Sequence, residues 1–203
     1  VAWKVFPALL CGNAAVLKAS EDTPETALAF TRIAAEAGLP PGVLNVLQGY
    51  GEEAGQPLVE DPRVAVVSFT GSTAVGRMIA RVAGERLAKV CLELGGKNPL
   101  VVCDDADLGK AAQAAVLSAF SNAGQRCASG SRLIVFDAVY DRFRELLLDR
   151  TAAQVVGPTD DDDFGPVINE RQLEAMLAAI ERACESGAQV VAGGNRVRRP
   201  GFY

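Results

Sequence analysis

Short apolar runs and helical patterns alternate along the whole of this 203-residue chain, and that alternation limits its fold more than any other feature. Two strands joined through a helix pair in parallel, because a parallel return needs a crossover of about a dozen residues or more. Strands that alternate with helices therefore call for an α/β fold, with parallel sheet covered by helices on its faces. The reading begins with the end of a helix over Val1 to Leu10, stopped by Gly12-Asn13, and a strand over Ala14 to Leu17. Thr23-Pro24-Glu25 predicts a helix start, with threonine as the cap, proline at the first helical position and an acid in the first turn. That helix runs to Gly38, and Pro40-Pro41-Gly42 turns the chain into a strand over Val43 to Leu47. A helix over Glu52 to Glu60, a strand over Val64 to Phe69 and a helix opened by Gly71-Ser72-Thr73 follow. Extended runs are expected at Ala88 to Leu94, Pro99 to Cys103 and Arg132 to Phe136, with a last strand at Gln189 to Ala192. Helices are expected over Asp107 to Ser121, from Val139 to about Ala153, and over Asn169 to Ser186. Gly95-Gly96 is a plausible domain joint, dividing the chain into 1–94 and 95–203.

Composition then removes several function classes. The chain has no histidine, which excludes Ser-His-Asp triads, Cys-His dyads and histidine-based metal sites from it. Proton transfer must use Asp, Glu, Lys, Cys, Tyr or water. The net charge of −5 carries no basic surface for nucleic acid. No apolar run reaches membrane-spanning length. Cys11, Cys91, Cys103, Cys127 and Cys184 are five in number and form no CxxC pair, a pattern of a reducing compartment such as the cytoplasm. Each is expected, as a bare default, to be a small buried hydrophobe. Asp160 to Asp163 is expected to be a solvated loop, because hard-cation sites need spaced ligands; no metal site is expected.

Four places could carry chemistry. Cys127 lies in Asn122-Ala123-Gly124-Gln125-Arg126-Cys127, a glycine-flanked stretch after a helix, and the adjacent Arg126 favours a thiolate. A structural loop cysteine is the plain alternative. Glu93 sits inside an apolar extended run, where a partly desolvated carboxyl has a raised pKa suited to a general base. A salt bridge to Lys97 or Arg126, or exposure to water, explains it equally well. Phe69-Thr70-Gly71-Ser72-Thr73 reads as strand, turn and helix start, a natural phosphate site although not a GxGxxG fingerprint. Its plain alternative is an ordinary serine cap. Lys18 and Glu21 stand at the end of the first strand, where they could hold ribose hydroxyls or form a solvated ion pair.

Taken in order, these stretches resemble the aldehyde dehydrogenase superfamily along all 203 residues. The resemblance is carried by Trp3-Lys4 through Pro7-Ala8-Leu9, Gly12-Asn13, Val16-Leu17-Lys18-Ala19-Ser20-Glu21 and Phe69-Thr70-Gly71-Ser72-Thr73. It continues through Leu92-Glu93-Leu94-Gly95-Gly96-Lys97, Gly124-Gln125-Arg126-Cys127 and Phe164-Gly165-Pro166-Val167-Ile168. The resemblance implies an α/β aldehyde-dehydrogenase-like fold. Residues 1–94 would be the second half of an NAD-binding domain and 95–203 the first half of a catalytic domain, with the active site in the crevice between them. It implies oxidation of a small-molecule aldehyde to a carboxylic acid. Cys127 would be the nucleophile and Glu93 the base that activates a water. The Cys127 backbone N–H would be one oxyanion donor. Lys18 and Glu21 would hold the adenosine ribose, Gly71 and Ser72 would face the pyrophosphate, and Leu94 would join the cofactor site. NAD is favoured over NADP, because the Glu21 carboxylate repels a 2′-phosphate. A homo-oligomer is implied for the full-length protein.

The ends of the chain read as cut. The family's Pro-Trp-Asn motif, whose asparagine is the second oxyanion donor, and its Glu-Ile-Phe-Gly-Pro motif are not in these residues. Loss of one oxyanion donor costs about 10²–10³ in rate, so this stretch alone is expected not to turn over. Two other readings remain open at the sequence level. One is a truncated or non-catalytic relative that serves as a nucleotide-binding or interaction module. The other is a coenzyme-A-acylating dehydrogenase, or a thioester hydrolase using Cys127; acylating members generally lack the acid at the place of Glu93.

Overall fold

Three strand–helix–strand repeats account for most of the regular structure. In the computed structural model, which describes residues 1–203, α1 (Ala2–Leu10) leads into β1 (Ala15–Lys18), α2 (Glu25–Glu36) and β2 (Leu44–Leu47). A short helix α3 (Gln56–Glu60) precedes β3 (Val66–Gly71), α4 (Thr73–Glu85) and β4 (Lys89–Leu94). Then come β5 (Asn98–Val102), α5 (Leu108–Phe120), β6 (Gly130–Val135), α6 (Tyr140–Ala152) and α7 (Glu170–Glu185). Strands pair β1 with β2, β3 with β4 and β5 with β6, every pair parallel, as crossovers of helix length require. The chain divides into two compact units, Val1–Gly95 and Gly96–Tyr203.

Within the first unit, Val5, Ala27, Leu44, Val59, Ile79 and Ala83 are buried. Lys4 Nζ donates to Ser68 Oγ at 3.0 Å, tying α1 to β3. Gly12 takes the left-handed conformation at the end of α1 (φ 77°), and the Asn13 N–H closes on the Ala8 carbonyl at 3.0 Å. In the second unit the core is Val102, Ala112, Ala115 and Phe143, with Leu100, Leu133, Val135, Leu146 and Leu147 packed against it. Two alanines on α5 leave room for the Phe143 ring of α6, so the helices approach closely. Asp107 and Asn169 cap α5 and α7, accepting from the Lys110 N–H at 3.1 Å and the Gln172 N–H at 2.9 Å.

Several expectations need correction. Thr23 is not a cap: Pro24 already has helical angles (φ −76°, ψ −28°), no side chain caps α2, and the Pro24 carbonyl accepts from Leu28. The first half of the expected helix over Glu52 to Glu60 is a π-helical turn, Gly51–Gly55, and the α-helical part is only α3. The third strand starts at Val66 and runs on to Gly71, with Val66 opposite Lys89. No strand forms at Gln189 to Ala192, because no other strand lies beside it to pair; Val190 and Val191 are about half exposed (49% and 54%). None of the five cysteines is buried; all are free and exposed. No helix is long and apolar enough to cross a membrane.

Candidate active site

The ends of β3 and β4 gather four of the residues singled out in the sequence. The parallel register sets Thr70 opposite Glu93 and Gly71 opposite Leu94, so all four positions lie at the carboxyl ends of their strands. In open α/β sheets ligands bind beyond those ends. At Gly71 a Cβ would run into the Phe69 ring, which would have to shift to admit any side chain. The Gly71 backbone therefore stays bare. Ser72 follows with extended angles (φ −72°, ψ 150°) and caps α4, its Oγ accepting from the Val75 N–H at 3.3 Å. The N–H groups of Thr73 and Ala74 precede the first intrahelical bond and point outward from the helix start. Leu94 leans onto the same helix. A Cβ on Gly76 would stand 2.5 Å from Leu94 Cδ2, so the glycine is what lets α4 and β4 come this close. Glu93 points to the opposite side of the strand from Leu94. It is exposed, so the partial burial expected for it is absent: Lys89 to Cys91 are exposed, the strand alternates only from Cys91 on, and Glu93 falls between the half-buried Leu92 and Leu94.

Lys18 is the last residue of β1, and its Nζ lies 3.0 Å from Glu21 Oε2. The two side chains are unequally exposed, lysine 18% and glutamate 40%, so the pair is held partly against the protein rather than free in water. This cation–anion pair, the bare Gly71 backbone and the start of α4 are the groups a dinucleotide needs: hydroxyl-binding side chains for a ribose and N–H donors for a pyrophosphate. The residues present fit such a cofactor.

Cys127 belongs to the second unit, in the loop between α5 and β6. Three consecutive residues ahead of it are left-handed: Asn122 (φ 56°), Ala123 (φ 53°) and Gly124 (φ 70°). Such a conformation costs a residue with a side chain about 1–2 kcal/mol, so the loop is held by contacts elsewhere. Only glycine fits at 124, where a Cβ would stand 2.8 Å from the Ala119 carbonyl oxygen. Gln125 supplies two of the holding contacts. Its Oε1 accepts from the Ile168 N–H at 2.9 Å and its Nε2 donates to the Asn122 carbonyl at 3.2 Å. The Phe120 ring stacks on Phe164 with centroids 6.1 Å apart. Beyond the cysteine, Asn98 Nδ2 donates to the Cys127 carbonyl at 2.5 Å and to the Ser129 carbonyl at 3.1 Å. Ser118 Oγ accepts from the Gly130 N–H at 3.0 Å.

Asn98 and Ser118 were not legible as site residues, and Gln125 was legible only as part of a motif. Each acts through backbone groups far away in sequence, which no local pattern encodes; the one signal was a side-chain amide at the first position of an apolar strand. Two of the four aspartates of the 160–163 run bond their own loop through their carboxylates. Asp162 Oδ2 accepts from Thr159 N and Oγ1 at 2.8 and 2.6 Å, and Asp163 Oδ2 from Val155 N at 2.7 Å. Hydrogen bonds from the Thr159 side chain and backbone hold Asp162 below the usual carboxylate range.

Comparison with known proteins shows the family of the chain. The family model "Aldehyde dehydrogenase family" matches residues 1–203. The chain is 45% identical over 206 residues to lactaldehyde dehydrogenase of Escherichia coli, covering 100% of the chain and 43% of that relative. It is 47% identical over 203 residues to betaine aldehyde dehydrogenase of Cereibacter sphaeroides, covering 99% of the chain and 42% of the relative. Among solved structures, lactaldehyde dehydrogenase from Escherichia coli superposes with a TM-score of 0.96 at 45% identity, over 100% of this chain and 43% of that one. Betaine aldehyde dehydrogenase from Staphylococcus aureus, solved in complex with NAD+, gives a TM-score of 0.96 at 35% identity, over 100% and 41%. The chain thus spans less than half the length of these relatives. Its α/β fold is that of these enzymes, and the chain belongs to the aldehyde dehydrogenase family.

Proposed function

We propose that the intact protein carrying this chain oxidises an aldehyde to a carboxylic acid with NAD(P)+. The observation that supports this most is the gathering of Gly71, Ser72, Glu93 and Leu94 at the carboxyl ends of one parallel strand pair, in a member of a family of dehydrogenases. Residues 1–94 are read as part of the NAD-binding domain and 95–203 as part of the catalytic domain. Lys18 and Glu21 hold the adenosine ribose. The Gly71 backbone, the Ser72 hydroxyl and the start of α4 bind the pyrophosphate. Leu94 forms an apolar wall of the same site. The Glu21 carboxylate repels a 2′-phosphate, so NAD is preferred to NADP.

The chemistry follows from the side chains. The Cys127 thiolate attacks the aldehyde carbon; a C–S bond forms and the carbonyl oxygen becomes an oxyanion, to which the Cys127 N–H donates. NAD(P)+ held by the cofactor-site residues would supply the hydride acceptor that oxidation of this hemithioacetal to a thioester requires. The Glu93 carboxylate takes a proton from water as the water adds to the thioester carbonyl. The C–S bond then breaks, the thiolate returns and a carboxylate leaves. An acid in the place of Glu93 favours this hydrolysis over transfer to coenzyme A. In the intact protein Cys127→Ala is expected to remove aldehyde-dependent NADH formation and leave NADH binding in place. Residual turnover above a few per cent would refute the role of Cys127. Product formed without NAD+ would point to a thioester hydrolase, and product that requires coenzyme A to an acylating enzyme.

A further inference from the structure

We propose that Asn98 is a positioning residue for Cys127; this rests on the reading of Cys127 as the nucleophile. The argument starts at Pro99. A proline in the second position of β5 has no N–H, so β5 cannot donate from its backbone there. The ladder is irregular at the same place: Asn98 pairs with Gly130 but Pro99 with Arg132, which leaves Ser131 without a partner on β5. The Asn98 side chain supplies donors where the backbone does not. Its single NH₂ group bonds both the Cys127 carbonyl and the Ser129 carbonyl. Two carbonyls two residues apart on one amide fix the peptide that follows the cysteine, and with it the direction of the Cys127 Cα–Cβ bond.

The anchor is itself anchored. Arg132 Nη2 donates to the Lys97 carbonyl at 2.6 Å, which holds the residue before Asn98. On the other side of the loop, Gln125 ties the left-handed residues to Ile168. The stretch from Arg126 to Ala128 is closed by the Ser129 N–H on the Arg126 carbonyl at 3.1 Å, and that turn is tied to the rest of the unit by two amides, of which the one that bonds the Cys127 carbonyl is Asn98. Cys127 and Ala128 are exposed and carry no core packing that could do the same work. Asn98 touches no reacting atom in this arrangement; it acts through the Cys127 backbone.

The test is made in the intact protein with propanal, benzaldehyde, lactaldehyde and betaine aldehyde as probes, by rapid mixing with NAD+. In Asn98→Leu, which keeps the branching at Cγ and loses both donors, the NADH burst rate is expected to fall about 10–100-fold, since a displacement of about 1 Å at a reacting group costs on the order of 10² in rate. NAD+ affinity stays within about twofold and the thermal midpoint within a few degrees, because neither depends on the Cys127 peptide. Should Asn98→Leu not fold, Asn98→Ala carries the same test with the same expectation. A burst within about twofold of wild type in a folded variant overturns the positioning role. So does a rate loss matched by an equal loss of NAD+ affinity, or failure of both variants to fold, since either makes Asn98 structural. A wild-type protein that forms no NADH from any probe overturns the reading of Cys127 itself, and is told apart by needing no variant.

Discussion

Replacing Gly76 by alanine sets two effects of similar size against each other at the candidate cofactor site. Gly76 is buried inside α4 with ordinary helical angles, so alanine is sterically free as far as its own backbone is concerned. Filling a helix interior with alanine instead of glycine stabilises by about 1 kcal/mol. Against that, the new Cβ would meet Leu94 Cδ2 at 2.5 Å and Cδ1 at 3.0 Å. Carbon atoms rest at about 3.5–4.0 Å, so Leu94 or the helix must move by about 1 Å. Overpacking of this kind costs about 1–3 kcal/mol. The clash wins, with a net loss of about 1 kcal/mol, because the neighbouring atoms are methyls of a half-buried side chain that can partly turn away. For a unit of this size that loss lowers the thermal midpoint by about 4–8 °C. Leu94 pairs with Gly71, the residue before Ser72, so NADH binding is expected to weaken as well, by about fivefold for a loss of about 1 kcal/mol. The assay is thermal unfolding of wild type, Gly76→Ala, Leu94→Ala and the double variant, with an NADH fluorescence titration of each. In the Leu94→Ala background the clash is gone and the same glycine replacement should stabilise by about 1 kcal/mol. A Gly76→Ala variant that gains stability equally in both backgrounds would refute the packing argument.

Three further outcomes concern carboxylates. Glu93→Gln should slow release of the acid more than formation of the thioester, so a rapid NADH burst persists while steady turnover falls; equal slowing of both phases would count against the base role. Glu21→Ser removes the carboxylate that repels a 2′-phosphate, so the ratio of NAD to NADP efficiency should narrow, and an unchanged ratio would mean Glu21 does not touch the ribose. Side-chain and backbone hydrogen bonds from Arg63 lower Asp61 from 3.8 to about 2. A carboxyl lowered on folding stabilises above its unfolded value and loses that contribution as pH falls through its folded value. Acid unfolding curves of wild type and Asp61→Asn should therefore differ above about pH 4 and converge near pH 2, and curves separated equally at both ends would exclude this linkage.

Most of the architecture was legible because helices and parallel strands leave local marks. Apolar runs such as Val66 to Phe69, the cap at Ser72 and the glycine stop after α7 all act within a few residues of themselves. The errors have the opposite character. The run from Gln189 to Ala192 has strand composition, but a strand exists only where another is there to bond it, and pairing is not a local property. Thr23 has cap composition, but Pro24 adopts helical angles itself and leaves the threonine one step too far out. The cysteines were expected inside because cysteine is usually buried; which positions of a half-covered strand or loop face water is decided by packing that composition does not report.

The same division runs through the candidate site. Cys127, Glu93 and Ser72 stood out because the groups expected to react or bind are their own side chains, and chemistry restricts residue type at such positions. Asn98, Ser118 and Gln125 did not, because they bond backbone atoms that any residue could supply, at sequence distances of 29, 12 and 43. Their acceptors and donors are peptide groups of the Cys127 loop, of its junction with β6 and of the segment after Phe164. A loop with three left-handed residues in succession cannot keep its shape by local preference, since that preference opposes it. It must be held by long-range bonds, and the strain is thus the trace that leads from the legible cysteine to the amides that were not legible. The left-handed angles could be anticipated only at Gly124; at Asn122 and Ala123 they become visible with the fold, and with them the reason a glutamine precedes Arg126-Cys127 and an asparagine opens β5.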